Sequence, residues 1–192
     1  MSNSARTPLL IAGGGLVIGL VIGALILLGP PLPLAQRTGG AGAGGTPQTL
    51  GAAPVSGAPA PDFSLQDTKG NTVSLADGKG HPVLINFWAT WCLPCRAEMP
   101  AIEQRFQAHK DAGLLVYAVD FDEPQDMVED FTKAFGLSFH VLLDPGATVN
   151  DLYKVVGYPS SFFVDRDGVI RVVHIGAMTE GQLDDYLSKI LP

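Results

Sequence analysis

The stretch NFWATWCLPCRAEMP, residues 86–100, decides how this chain is read, because it holds the only two cysteines, Cys92 and Cys95. As a structural staple they would restrain little: chain entropy gives about 2 kcal/mol for so small a loop. A zinc site needs about four ligands, and His81, His109, His140 and His174 show no paired spacing that would complete one. Covalent haem attachment needs histidine directly after the second cysteine, where this chain has Arg96. A redox pair remains, and its surroundings suit one. The apolar run PVLINFW ahead of the cysteines reads as a strand buried on both faces, and a helix follows. Cys92 then sits at the helix N-terminus, where free N–H groups and the helix dipole favour a thiolate. Arg96 adds positive charge one turn away, and Pro94 occupies the first turn, where its missing N–H costs nothing. Cys92 is the candidate nucleophile, and Cys95, one turn deeper, the resolving thiol.

Working outward, PDFSLQD and NTVSL read as short strands joined by a turn at Lys69-Gly70. The helix after the cysteines should carry Met99, Ile102 and Phe106 inward and kink at Pro100. LLVYAVD is a second buried strand. A helix opened by Asp122 and Pro124 should bury Met127, Val128, Phe131, Ala134 and Phe135, with Gly136 ending it. HVLLD is a short strand and residues 147–153 a short helix. SFFVD and VIRVVHI form a hairpin around Arg166-Asp167-Gly168, and Thr179 and Gln182 have the capping-box spacing of a last helix. Alternating strands and helices with a late hairpin predict an α/β domain, a mixed central sheet with helices on both sides.

The ends differ in texture. From Ala60 onward the chain carries ten basic and nineteen acidic side chains, net −9, a balance that argues against nucleic acid as a partner. The run that begins at Leu9 and ends at Leu28 has no polar side chain. As a helix it would span about 30 Å, a hydrocarbon core. It is expected to be a retained membrane anchor; the alternative is a cleaved signal peptide, whose apolar region is normally shorter. Residues 1–8, with Arg6, would then be a short cytoplasmic N-terminus. Gly15, Gly19 and Gly23 offer small-residue steps that let membrane helices approach, or simply a glycine-rich anchor. Residues 29–59, of which twenty are Gly, Pro or Ala, read as a flexible linker. Residues 60–192 form the folded domain.

FWATWCLPC, followed far downstream by GYPSSFFVDRDG, resembles the thioredoxin superfamily. APDFSLQDTKGNTVSL, the strand-helix segment at residues 120–143 and GAMTEGQLDDYL narrow the likeness to the membrane-anchored TlpA/ResA group of thiol-disulfide oxidoreductases. The resemblance implies a thioredoxin-like fold with an added N-terminal strand pair and that inserted segment. It implies a cis-proline at Pro159 facing the cysteines, with Tyr158, Trp91 and Pro94 at a substrate-binding surface and Trp88 in the core. It implies no cofactor beyond the Cys92–Cys95 disulfide, and no metal. Peroxiredoxins place a threonine three residues before their reactive cysteine; here Thr90 stands two before, and that match fails.

Two positions depart from ordinary thioredoxins. The buried aspartate six residues before the first cysteine is replaced by Asn86, which does not titrate. Glu98 matches an acidic residue of the ResA-like branch and shares a helix face with Cys95. It is expected to handle the proton of Cys95; the alternative is a solvated first-turn glutamate. VVGYPSSFF also departs from the GxxGxPETF pattern of haem-lyase-associated reductases. The partners implied are oxidised exported client proteins, such as apocytochrome c or copper-site assembly factors, and a transmembrane thiol donor that supplies electrons to an oxidising compartment. The catalytic domain would lie on the extracytoplasmic side, periplasmic or outer. An oxidase or isomerase, or a module passing copper, are the alternative functions.

Overall fold

The structure, a computed structural model, describes residues 51–192. The run from Leu9 to Leu28, and most of the expected linker, lie outside the described residues. Among the described residues no helix is long and apolar enough to cross a membrane.

The centre of the domain is β3, Val83–Trp88, with all six residues buried. It pairs in parallel with β4, Leu115–Phe121, and β4 in parallel with β5, His140–Asp144. On its other side β3 runs antiparallel to β6, Ser160–Val164, which turns back into β7, Ile170–Ile175. The strand pair β1, Ser64–Asp67, and β2, Thr72–Ser74, extends the far edge through β5. The sheet order is β2-β1-β5-β4-β3-β6-β7. Because strand side chains alternate between faces, β3 feeds two cores. Leu84 and Trp88 pack with Met99, Ile102, Phe131 and Leu183 on one face; Ile85 and Phe87 pack with Tyr117, Tyr153 and Phe162 on the other. Each such fully buried side chain contributes about 1.5–3 kcal/mol by leaving water.

The helices follow from local chemistry. Helix α1, Leu93–His109, starts on Cys92 and runs on through Pro100. It buries Met99 and Ile102, with Phe106 half-buried against them. Helix α2, Gln125–Phe135, ends at Gly136, whose φ of 63° suits a residue without Cβ. It buries Val128 and Phe131, with Phe135 half-buried, but Met127 and Ala134 are exposed, against the expectation from their spacing. Met127 belongs to the first turn, and the sheet-facing stripe begins one residue later. The short helix α3, Thr148–Leu152, is held by the Asp144 carboxylate, which accepts from the Val149 and Asn150 N–H groups. Helix α4, Glu180–Leu187, opens with the complete Thr179–Gln182 capping box, a device worth about 1 kcal/mol.

The folded unit begins earlier than residue 60, where the linker was expected to end. Gly57 N–H donates to the Ile170 carbonyl at 2.8 Å, and Ile170 N–H donates back to Ala58 at 3.0 Å. Ala58 is buried. Gly and Ala content reads as linker, but here their small size lets backbone pair directly against the start of β7.

Candidate active site

Strand β3 delivers its end, Trp88, into the core and then releases the chain as a turn. Cys92 N–H donates to Ala89 O at 3.2 Å within that turn, and Cys92 becomes the residue capping α1. The Cys95 N–H points at Cys92 Sγ, 3.2 Å away. Free helix-start N–H groups aimed at sulfur stabilise a thiolate there once the bond is reduced. The two sulfurs form a disulfide of 2.02 Å, with Cα atoms 5.3 Å apart. Cys92 keeps slight exposure, 5 %, whereas Cys95 has none. Cys92 is therefore the less enclosed of the two cysteines.

The Tyr158-Pro159 peptide is cis, and the Tyr158 ring meets Trp91 edge-on, with centroids 5.9 Å apart. The structure thus brings Trp91 and Tyr158 together beside the cysteines. Burial, followed by the nearby charges of Asp144, Asp120 and Asp151, pushes the Tyr158 phenol up to about 12. It therefore stays protonated and donates to Asn150 at 2.7 Å. Trp91 is 60 % exposed and Leu93 76 %, and Pro94 beside them is also exposed. Arg96 has other partners than the sulfur: its guanidinium donates to Thr90 O at 3.2 Å and lies over the Phe131 and Phe135 rings. It clamps the turn to α2. The histidines are dispersed, with His81 against Gly113, His140 against Tyr117 and His174 against Tyr186.

Glu98 is buried, not a solvated first-turn glutamate. Asn86 Nδ2 donates to its Oε1 at 2.9 Å, and the Met178 N–H donates to its Oε2 at 2.8 Å. Burial raises its carboxyl above the ordinary glutamate range, and those two donors only partly offset it. Asn86 also donates to Ser161 Oγ at 2.9 Å.

A second carboxyl site was not anticipated. Asp120, the next-to-last residue of β4, lies beside Trp88 of β3 and is fully buried. Its Oδ2 accepts from Glu123 N–H at 2.9 Å, and its Oδ1 has no partner among the described residues. Burial, then the neighbouring Glu123 carboxyl, pushes Asp120 up to about 8. Glu123 in turn accepts from both the N–H and the hydroxyl of Thr90, two residues before Cys92. The sequence offered one signal, an aspartate closing an otherwise apolar strand. Nothing local marked Glu123 or Thr90 as its associates, or Ser161 as the partner of Asn86.

A disulfide at a helix start after β3, with a cis-proline leading into the neighbouring strand β6 of the same mixed sheet, defines a thioredoxin-like thiol-disulfide oxidoreductase. A model of the AhpC/TSA family matches residues 56–173, and the chain belongs to that family. It is 40% identical over 136 residues to thiol-disulfide oxidoreductase ResA of Bacillus cereus, covering 71% of this chain and 79% of that one. To the thioredoxin-like protein YneN of Bacillus subtilis it is 42% identical over 134 residues, 68% of this chain and 78% of that one. Among solved structures, the thioredoxin domain of a thiol-disulfide oxidoreductase from Bacteroides vulgatus superposes with a TM-score of 0.65 at 30% identity, covering 72% of this chain and 99% of that one. StoA from Bacillus subtilis superposes at 0.58 with 30% identity, covering 66% and 96%.

Proposed function

We propose that this oxidoreductase works outside the cytoplasm as a reductant of exported proteins. Residues 9–28 hold it to the membrane with the N-terminus inside, and the chain up to about residue 52 serves as the tether. The observation that supports this reading best is the division of labour at the disulfide: Cys92 caps the helix and keeps slight exposure, Cys95 is sealed, and Glu98 is buried on the same helix.

In the reduced enzyme the Cys92 thiolate attacks one sulfur of a client disulfide and displaces the other as a thiolate. Glu98 accepts the proton of Cys95, whose thiolate then attacks Cys92 Sγ. The Cys92–Cys95 bond forms, and the client leaves as a dithiol with two electrons and two protons gained. A transmembrane thiol donor, by the reverse exchange, restores the dithiol. Trp91, Pro94, Tyr158 and cis-Pro159 hold the client segment alongside. The clients are exported proteins with oxidised cysteine pairs, apocytochrome c and copper-site assembly factors being the kinds expected.

The test is trapping. A Cys95→Ala chain cannot resolve the mixed disulfide, so Cys92 should retain its clients covalently. Recovery of a few exported proteins with paired cysteines supports the reading; a random sample of abundant proteins sinks it. A strongly oxidising reduction potential for Cys92–Cys95 would instead make the protein an oxidase.

A further inference from the structure

Among the described residues, Glu98 is held only by groups that donate. The Met178 N–H and the Asn86 Nδ2 suit a carboxylate, and neither accepts a proton. Glu98 protonated as it stands would therefore set its new O–H against a donor. Next to it lies Asn86 Oδ1, a buried acceptor with no donor among the described residues. The other partner of Asn86, the Ser161 hydroxyl, both donates and accepts.

We infer that the Asn86 side-chain amide inverts each time Glu98 gains or loses its proton, with Ser161 following, so that the pair positions Glu98 in both states. With Glu98 ionised, Nδ2 donates to Glu98 Oε1 and to Ser161 Oγ, and Oδ1 is idle. When Oε1 takes a proton, the amide turns over. Oδ1 then accepts from the Glu98 O–H and from the Ser161 O–H, and Nδ2 becomes idle. Each state keeps two hydrogen bonds and leaves one amide atom unpaired, so the turn costs no net hydrogen bond. An aspartate at residue 86 would add a second titrating charge; asparagine adapts without one. From β3 and the turn before α4, the groups touching Glu98 are the Asn86 amide and the Met178 N–H, neither of which titrates. On its own helix the one nearby titratable group is Cys95, a turn back, once reduced. This inference rests on the reading of Glu98 as a proton carrier.

Asn86 and Ser161 are positioning residues, and the test reads their orientation directly. In the full-length chain, labelled with 13C and 15N, the Glu98 carboxyl carbon is followed by NMR from roughly pH 4 to 9. The Asn86 amide protons are followed in the same samples. The expected result is that their proximity signals to Ser161 Hβ weaken about threefold or more as Glu98 protonates, at the same midpoint. Signals that stay constant through the Glu98 titration overturn the inference, as does a Glu98 that fails to titrate. Asn86→Leu removes a charge-assisted donor and should weaken Glu98 as an acid about tenfold. Ser161→Ala, which loses a partner in both states, should leave it within about twofold. Equal shifts from the two variants would also overturn it. An exchange rate indifferent to Glu98→Gln would remove the catalytic role of Glu98 while leaving the amide's inversion measurable.

Discussion

Two buried carboxyl sites serve the active-site turn, and they are built differently. Glu98 is a single carboxylate facing two neutral donors, one from β3 and one from the turn before α4. Asp120 and Glu123 are two carboxyls set against each other, with one Asp120 oxygen left unpaired. Burial raises both Glu98 and Asp120, but the donors at Glu98 pull back, whereas the second carboxyl at Asp120 pushes further. Desolvation alone therefore does not set the behaviour of a buried acid; the neighbours do. The first arrangement suits a proton that comes and goes, and the second keeps a proton while Glu123 fastens Thr90.

Glu98→Gln is the largest expected break in this contrast. Loss of a positioned proton acceptor should slow dithiol-disulfide exchange about 10²-fold, measured with a small disulfide substrate. In the wild type the rate should fall as pH drops through the raised Glu98 value, because the protonated acid no longer accepts from Cys95; the variant should lose that step.

Asp120→Asn tests the opposite site through stability. The folded chain holds a proton on Asp120 that the unfolded chain releases between the ordinary 3.8 and about 8. The stability of that protonated group is fully present below the lower value and is lost as pH rises toward the upper one. Asparagine removes the dependence. Urea unfolding should find the variant more stable near pH 8, on the order of 5 kcal/mol by linkage, with the difference shrinking toward pH 4. A variant less stable at both ends would mean that the carboxyl pair is a net support.

Thr90→Val removes the hydroxyl that Glu123 accepts from. It should cost about 1 kcal/mol in the same assay, without a pH step of its own. Trp91→Ala touches neither carboxyl site. Its stability should stay within about 0.5 kcal/mol of wild type, while KM for a protein client rises several-fold, about 1 kcal/mol of lost contact.

Much of the fold was legible because it is written locally. The buried strand ahead of the cysteines, Gly136 closing α2 and the Thr179–Gln182 capping box depend on neighbours in sequence, and each stands where its pattern put it. Readings that needed the third dimension went astray. Met127 had helical spacing but falls outside the face that meets the sheet. Ala58 had linker composition but packs under β7.

By itself the sequence determined that Cys92 and Cys95 stand at a helix start after a buried strand, because periodicity and capping act within a few residues. It also marked the absence of an aspartate at Asn86. Only the tertiary structure decided what surrounds them. Thr90 meets Glu123 across 33 positions, Asn86 meets Ser161 across 75, and Glu98 meets the Met178 N–H across 80. No local pattern encodes such contacts. They arise because β4 and β6 flank β3 in the sheet, and α1 lies over it, so that distant polar groups are buried together and must satisfy one another.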